Sequence, residues 1–253
     1  MKLLFKAGGE GPVLVLLHGF PLSALMWDAN FARLRERNLV VAMNLRGFGG
    51  TAVAATATME EMADDVVETL DSLGIRSAAF CGCSMGGYVA FALWKRHPAR
   101  VRALVLADTR SAPDSETQRA GRAGFAAEVL KDGAAVAVEK MLPKLLSAKA
   151  SDAAKAFVRD IILANKPAGI AAALLGLGAR ADASPLLETI EVPTLCVCGL
   201  RDEITPPGEM REMSGRIKGS KFAEIAEAGH LSNVEAPREF CDVVTGFLQG
   251  VGE

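Results

Sequence analysis

Ala78-Ala79-Phe80-Cys81-Gly82-Cys83-Ser84-Met85-Gly86-Gly87-Tyr88-Val89-Ala90-Phe91 is the stretch that decides the fold. Residues 78–81 are an unbroken apolar run, the pattern of a strand buried on both faces. From Tyr88 to His97 the chain reads as a helix, stopped by Pro98. Between them Gly82-Cys83-Ser84-Met85-Gly86 has the form G-x-S-x-G. A serine at so sharp a strand-to-helix turn is lifted above the sheet in a strained backbone conformation. Glycines two positions to either side remove side chains that would collide across the turn. The Met85 N–H then lies at a helix N-terminus, where it can face an anion. Ser84 is therefore the candidate nucleophile. Cys83 is a rival, but it is off-centre between the glycines, and cysteine attacks only as the thiolate.

Outward from this turn, apolar runs recur at Val13–Leu17, Leu39–Asn44, Val101–Ala107 and residues 195–198, with a weaker one at Lys221–Ile225. Helical signals alternate with them. Thr58-Met59-Glu60-Glu61 has capping-box spacing. Met59, Met62, Ala63, Val66, Leu70 and Leu73 then follow a helical period, and Gly74 stands at the stop. Pro237 suits a first helical turn, and Phe240, Val243, Val244, Phe247 and Leu248 form one apolar stripe. Residues 110–185 carry no strand signal. They are rich in alanine and read as helices near 115–131, 134–146 and 151–165. The alternation predicts an α/β fold, a mostly parallel, doubly wound sheet flanked by helices. Its core comprises residues 1–110 and 186–253, with a helical insertion over 111–185.

The chain has 253 residues and is half apolar, enough to bury a large core. A net charge of −2 and a single tyrosine, Tyr88, argue against a nucleic-acid binder. No apolar run is long enough to span a membrane, and the opening residues are too short for a signal peptide. Five cysteines form no spaced disulfide framework, which suits a reducing cytoplasm. Gly8-Gly9-Glu10-Gly11 lacks the Lys-Ser/Thr of a phosphate loop, and Gly47-Phe48-Gly49-Gly50 fails the dinucleotide pattern. The pairs Cys81/Cys83 and Cys196/Cys198 lack zinc spacing and fall on buried strands. The expected partner is a small molecule, with no cofactor, metal, membrane or nucleic acid. Whether the chain is a homo-oligomer stays open.

A serine nucleophile needs a base, and the chain has three histidines. His97 closes the helix after the turn, where it complements the helix dipole or is solvated. His18 follows the first apolar run and shapes a loop. His230, in Ala228-Gly229-His230-Leu231-Ser232, follows the last run, where the chain order Ser, Asp, His places the base. The carboxylate that fixes its tautomer is Asp202, in Gly199-Leu200-Arg201-Asp202-Glu203. Asp108, at the end of Val101–Ala107, is a rival, and chain position rather than chemistry favours Asp202. His18-Gly19-Phe20-Pro21 can supply a second oxyanion donor, the Phe20 N–H, to pair with that of Met85.

Four blocks together, His18-Gly19-Phe20-Pro21, Arg46-Gly47-Phe48-Gly49, Gly82-Cys83-Ser84-Met85-Gly86-Gly87, and Asp202 with His230, resemble the α/β-hydrolases of the esterase, enol-lactonase and cofactor-free haloperoxidase group. The resemblance implies a small helical cap over the site, matching the insertion. The chain departs from the pattern at Asn44, where the group usually has Asp, a change expected to alter only loop hydrogen bonding. Its short N-terminus implies that an early strand is abbreviated or missing. The expected activity is hydrolysis of carboxylic esters or lactones of small to medium acyl groups through an acyl-enzyme, in an apolar pocket. A 3-oxoadipate enol-lactonase-like activity, carbon–carbon bond hydrolysis or perhydrolysis would use the same residues. A small-molecule receptor on the same fold is the alternative of a different class.

Overall fold

The computed structural model describes residues 1–251. Its centre is a seven-stranded sheet formed by β1 (Leu4–Gly8), β2 (Val13–Leu17), β3 (Leu39–Asn44), β4 (Ala78–Cys83), β5 (Val101–Ala107), β6 (Thr194–Gly199) and β7 (Lys221–Ile225). The spatial order is β1-β3-β2-β4-β5-β6-β7. Only β1 runs antiparallel to its neighbour. The apolar runs of β2, β4, β5 and β6 are almost wholly buried, as helix-covered parallel strands must be.

Between β2 and β4 the winding changes direction: β3 lies outside β2 on one side, and the later strands follow β4 on the other. Leu17 pairs with Gly82 at that junction. A crevice outside the carboxyl ends of two such strands is the standard ligand position in an open α/β sheet. The His18–Phe20 loop leaves β2 there, and the Ser84 turn leaves β4.

The helices that flank the sheet are α1 (Asp28–Leu34), α2 (Met59–Ser72), α3 (Met85–Arg96), α4 (Glu116–Asp132), α5 (Ala135–Leu145), α6 (Asp152–Leu163), α7 (Pro167–Ala179), α8 (Pro207–Gly215), α9 (Ser232–Glu235) and α10 (Pro237–Leu248). The Thr58–Glu61 capping box forms, with Thr58 Oγ1 accepting from the Glu61 N–H and a Glu61 carboxylate oxygen accepting from the Thr58 N–H. Ser115 and Gln118 make a second box at the start of α4. Among the described residues no single helix is long and apolar enough to cross a membrane.

Two elements differ from the sequence reading. One short strand that no apolar run marks precedes Val13: β1 pairs with β3 across Leu4 to Gly8. Its residues are mostly exposed, so an edge strand held by backbone bonds leaves no apolar run to read. The helix α7 was not signalled either. It is apolar on all sides and so lacks the period of an amphipathic helix. Its small residues permit close approach: a Cβ at Gly169 would strike the Gly47 backbone, and one at Gly176 the backbone of Ala57. The four helices α4 to α7 thus fill the stretch between β5 and β6 and rest on the loop that follows β3. Asn165 fastens them down. Its Nδ2 donates to the Pro21, Leu22 and Ile161 carbonyls, at 3.0, 3.3 and 3.1 Å, and its Oδ1 accepts the Gly49 N–H at 2.9 Å.

Candidate active site

Ser84 stands between β4 and α3 with φ 51° and ψ −112°, a conformation that side chains rarely adopt. Such backbone typically costs about 1–3 kcal/mol and persists only where its surroundings force it. Here they do. The Ser84 N–H donates to the Ala107 carbonyl at 2.9 Å, and its carbonyl accepts from Gly87 N–H at 2.9 Å and from Thr109 Oγ1 at 2.8 Å. A Cβ at Gly82 would strike the Gly86 carbonyl, and one at Gly86 the Leu17 carbonyl, so both positions need glycine.

His230 Nε2 lies 2.8 Å from Ser84 Oγ, and His230 Nδ1 lies 2.8 Å from Asp202 Oδ2. With Nδ1–H donating to the carboxylate, Nε2 is left as the acceptor for the serine hydroxyl. All three side chains are buried, Ser84 at 8% exposure being the most open. Asp202 is held in turn: Oδ1 accepts the N–H groups of Ile204 and Thr205 at 2.8 and 2.9 Å, and Oδ2 accepts Thr205 Oγ1 at 2.5 Å. Burial works against its ionisation. The His230 charge and the bonds from His230 and Thr205 outweigh that, so its carboxyl lies below the usual carboxylate range.

Asp108 takes a different place. It also has positive φ, 45°, and is fully buried, but its oxygens point to backbone and hydroxyl groups. Oδ1 accepts the Gly199 N–H at 2.8 Å, and Oδ2 meets Ser232 Oγ at 2.5 Å. Burial first, and then the Asp202 charge, pushes its carboxyl up to about 7. The carboxylate beside His230 is therefore that of Asp202.

The His18–Phe20 loop reaches the serine. A Cβ on Gly19 would lie 3.4 Å from the Ser84 Cβ. The Met85 N–H opens α3 and has no intrahelical acceptor. The Phe20 ring packs edge-on against Phe48 and against Phe125 of α4, which brings an aromatic wall from that helix to the loop. His18 is buried beneath. Its Nε2 accepts the Leu45 N–H at 3.0 Å and its Nδ1 donates to the Gly19 carbonyl at 3.0 Å, so it ties the end of β3 to the loop. His97 instead pairs with Asp64, its Nε2 at 2.7 Å from Oδ1. Asn44 Oδ1 accepts the Ala24 N–H at 2.8 Å.

The rival nucleophile fares poorly. Burial pushes the Cys83 thiol well above its ordinary range, and a neutral thiol is a weak nucleophile. The thiols of Cys196 and Cys198 are pushed up to about 12, mainly by burial within β6.

A family model of the alpha/beta hydrolase fold matches residues 12–237. The chain is 31% identical over 244 residues to 3-oxoadipate enol-lactonase 1 of Acinetobacter baylyi, covering 96% of this chain and 90% of that protein. It superposes on a thermophilic esterase from Thermogutta terrifontis, solved with malate bound, with TM-score 0.97 and 37% identity, covering 99% of this chain and 94% of that one. The enol-lactonase from Burkholderia xenovorans gives TM-score 0.90 at 29% identity, over 98% and 96% of the two chains.

Proposed function

This chain belongs to the alpha/beta hydrolase fold family, and from that premise we propose that it is a serine hydrolase of carboxylic esters or lactones. The observation that carries the proposal is the hydrogen-bonded line Ser84–His230–Asp202, two contacts of 2.8 Å on a serine in strained backbone. In this reading His230 takes the Ser84 proton as Oγ attacks the carbonyl carbon. The imidazolium that forms is stabilised by Asp202, which remains ionised. The Phe20 and Met85 N–H groups hold the oxyanion, each worth about 3 kcal/mol in the transition state. His230 then protonates the leaving alkoxide, giving an acyl-Ser84 ester. It next deprotonates a water that releases the acid and restores the serine. A lactone follows the same path, except that its leaving oxygen stays attached to the acyl chain throughout, so deacylation releases a single hydroxy acid.

Residues 1–110 and 186–253 are assigned as the catalytic core, and 111–185 as a cap over the site. The Phe20–Phe125 contact supports that role for α4 and an apolar wall for small to medium acyl groups. The enol-lactonase relatives favour including lactones. A panel of p-nitrophenyl esters of increasing chain length, simple lactones and 3-oxoadipate enol-lactone tests the class. The expected result is turnover of at least one ester or lactone series, with kcat/KM falling for the longest acyl chains. Turnover of no member of the panel by a folded protein would overturn the assignment.

A further inference from the structure

The end of β5 carries a buried carboxylate that the proposed mechanism does not use. Asp108 sits between the two loops that supply the acid and the base. Gly199, bonded to Asp108 Oδ1, opens the loop that carries Asp202, and Ser232, bonded to Asp108 Oδ2, lies two positions after His230. The Ser232 N–H also faces Oδ2, at 3.3 Å. The backbone joins in: the Asp108 N–H donates to the Val197 carbonyl at 2.9 Å. The next residue reaches the serine, since Thr109 Oγ1 donates to the Ser84 carbonyl at 2.8 Å. Asp108-Thr109 thus touches the strand ends or loops bearing all three members of the triad.

We propose that Asp108 is a positioning residue for hydrolysis, a hydrogen-bonding clasp that fixes the Asp202 loop against the His230 loop and so sets the Asp202–His230–Ser84 line. This rests on the triad reading above. Two details separate it from general core packing. Asp108 holds a positive φ that most residues avoid, so the chain accepts local strain to aim this side chain. Both carboxylate oxygens end on residues that flank the catalytic loops, Gly199 at the end of β6 and Ser232 at the start of α9, and neither on a cation. Near neutral pH a carboxyl raised to about 7 is partly in its neutral acid form. Asparagine resembles that form and tolerates positive φ. Its amide oxygen can accept from Gly199 and its amide nitrogen can donate to the Ser232 hydroxyl.

The test compares Asp108→Ala, Asp108→Asn, Ser232→Ala and Ser84→Ala in steady-state ester hydrolysis, with circular dichroism to establish folding. Removing the clasp displaces reacting groups rather than substrate contacts. Asp108→Ala should therefore lower kcat by about 100-fold and leave KM within about twofold. Asp108→Asn should recover kcat to within about threefold of the parent, because the bonds to the Gly199 N–H and the Ser232 hydroxyl can be remade and only the long Ser232 N–H contact is lost. Ser232→Ala should lower kcat by about tenfold, the effect of one lost hydrogen bond. Parent-like kcat in folded Asp108→Ala overturns the clasp, as does an equal loss in the Ala and Asn variants. If Asp108→Ala does not fold, Ser232→Ala decides: an unchanged kcat overturns the clasp. Retained turnover in Ser84→Ala removes the triad reading and the clasp with it. An inactive Ser84→Ala beside a fully active Asp108→Ala removes the clasp alone.

Discussion

His18 provides a stability experiment whose sign and size follow from its surroundings. The ring is fully buried, edge-on to Phe48, with Nε2 spent on the Leu45 N–H and Nδ1 on the Gly19 carbonyl. Burial lowers its pKa from 6.5 to about 4, against a smaller opposing effect of the Gly19 bond. Protonation would also destroy the Nε2 acceptor. Between these two values the unfolded chain binds a proton that the folded chain does not, so stability rises with pH across that window and is lost as the solution is acidified. At about pH 4.5 the loss from this one group is about 2.5 kcal/mol relative to neutral pH. In His18→Gln the amide oxygen can still accept the Leu45 N–H, but nothing titrates. Urea unfolding of the parent and the variant, followed by tryptophan fluorescence at neutral pH and at about pH 4.5, reads the difference. Asp108 works in the opposite sense, its raised pKa favouring the folded state at lower pH, but it is common to both proteins and cancels. The variant should start less stable at neutral pH and lose about 2.5 kcal/mol less than the parent on acidification. Equal losses in the two proteins would refute the neutral, clamped imidazole.

Two further outcomes are expected. Asn165→Ala strips a buried amide from three carbonyls and leaves the Gly49 N–H unpaired, so it should destabilise the protein by about 2–3 kcal/mol, read as a lowered urea midpoint; an unchanged midpoint would contradict the staple between α6 and the β2 loop. Asp202→Asn preserves the shape of the acid but turns an amide toward His230 Nδ1, which selects the wrong tautomer; kcat should fall by about 10⁴-fold with the fold intact, and a loss under about tenfold would count against Asp202 as the acid.

The fold was largely legible because its central strands are buried on both faces and announce themselves as apolar runs, as at Val13–Leu17 and Val101–Ala107. The edge strand β1 escapes such a reading because its stability comes from pairing with β3 rather than from burial. The helix α7 escapes it because a helix apolar on every side has no period. In the site, the G-x-S-x-G turn marks Ser84 and chain position points to His230 and favours Asp202 over Asp108, but no chemistry in the sequence separates the two carboxylates. Both follow strands that end near the site. What separates them is where the carboxylates point: one toward His230 Nδ1, the other toward the Gly199 N–H and the Ser232 hydroxyl. The bonding partners of His18, and the parts of Asn165 and Thr205, are hidden for a related reason. Each acts through one or two hydrogen bonds to backbone or to a buried side chain, and no composition or spacing encodes such a partner.

The central claim is that Ser84 is the nucleophile. Its most direct test is covalent: the protein is treated with an organophosphate ester that phosphorylates activated serines, and the adduct is counted by intact mass and located by peptide mapping. One adduct per chain is expected, on Ser84, formed in step with loss of ester hydrolysis, and none in Ser84→Ala, which is itself inactive. An adduct on another residue that tracks the loss of activity, or full hydrolysis by Ser84→Ala, would contradict it.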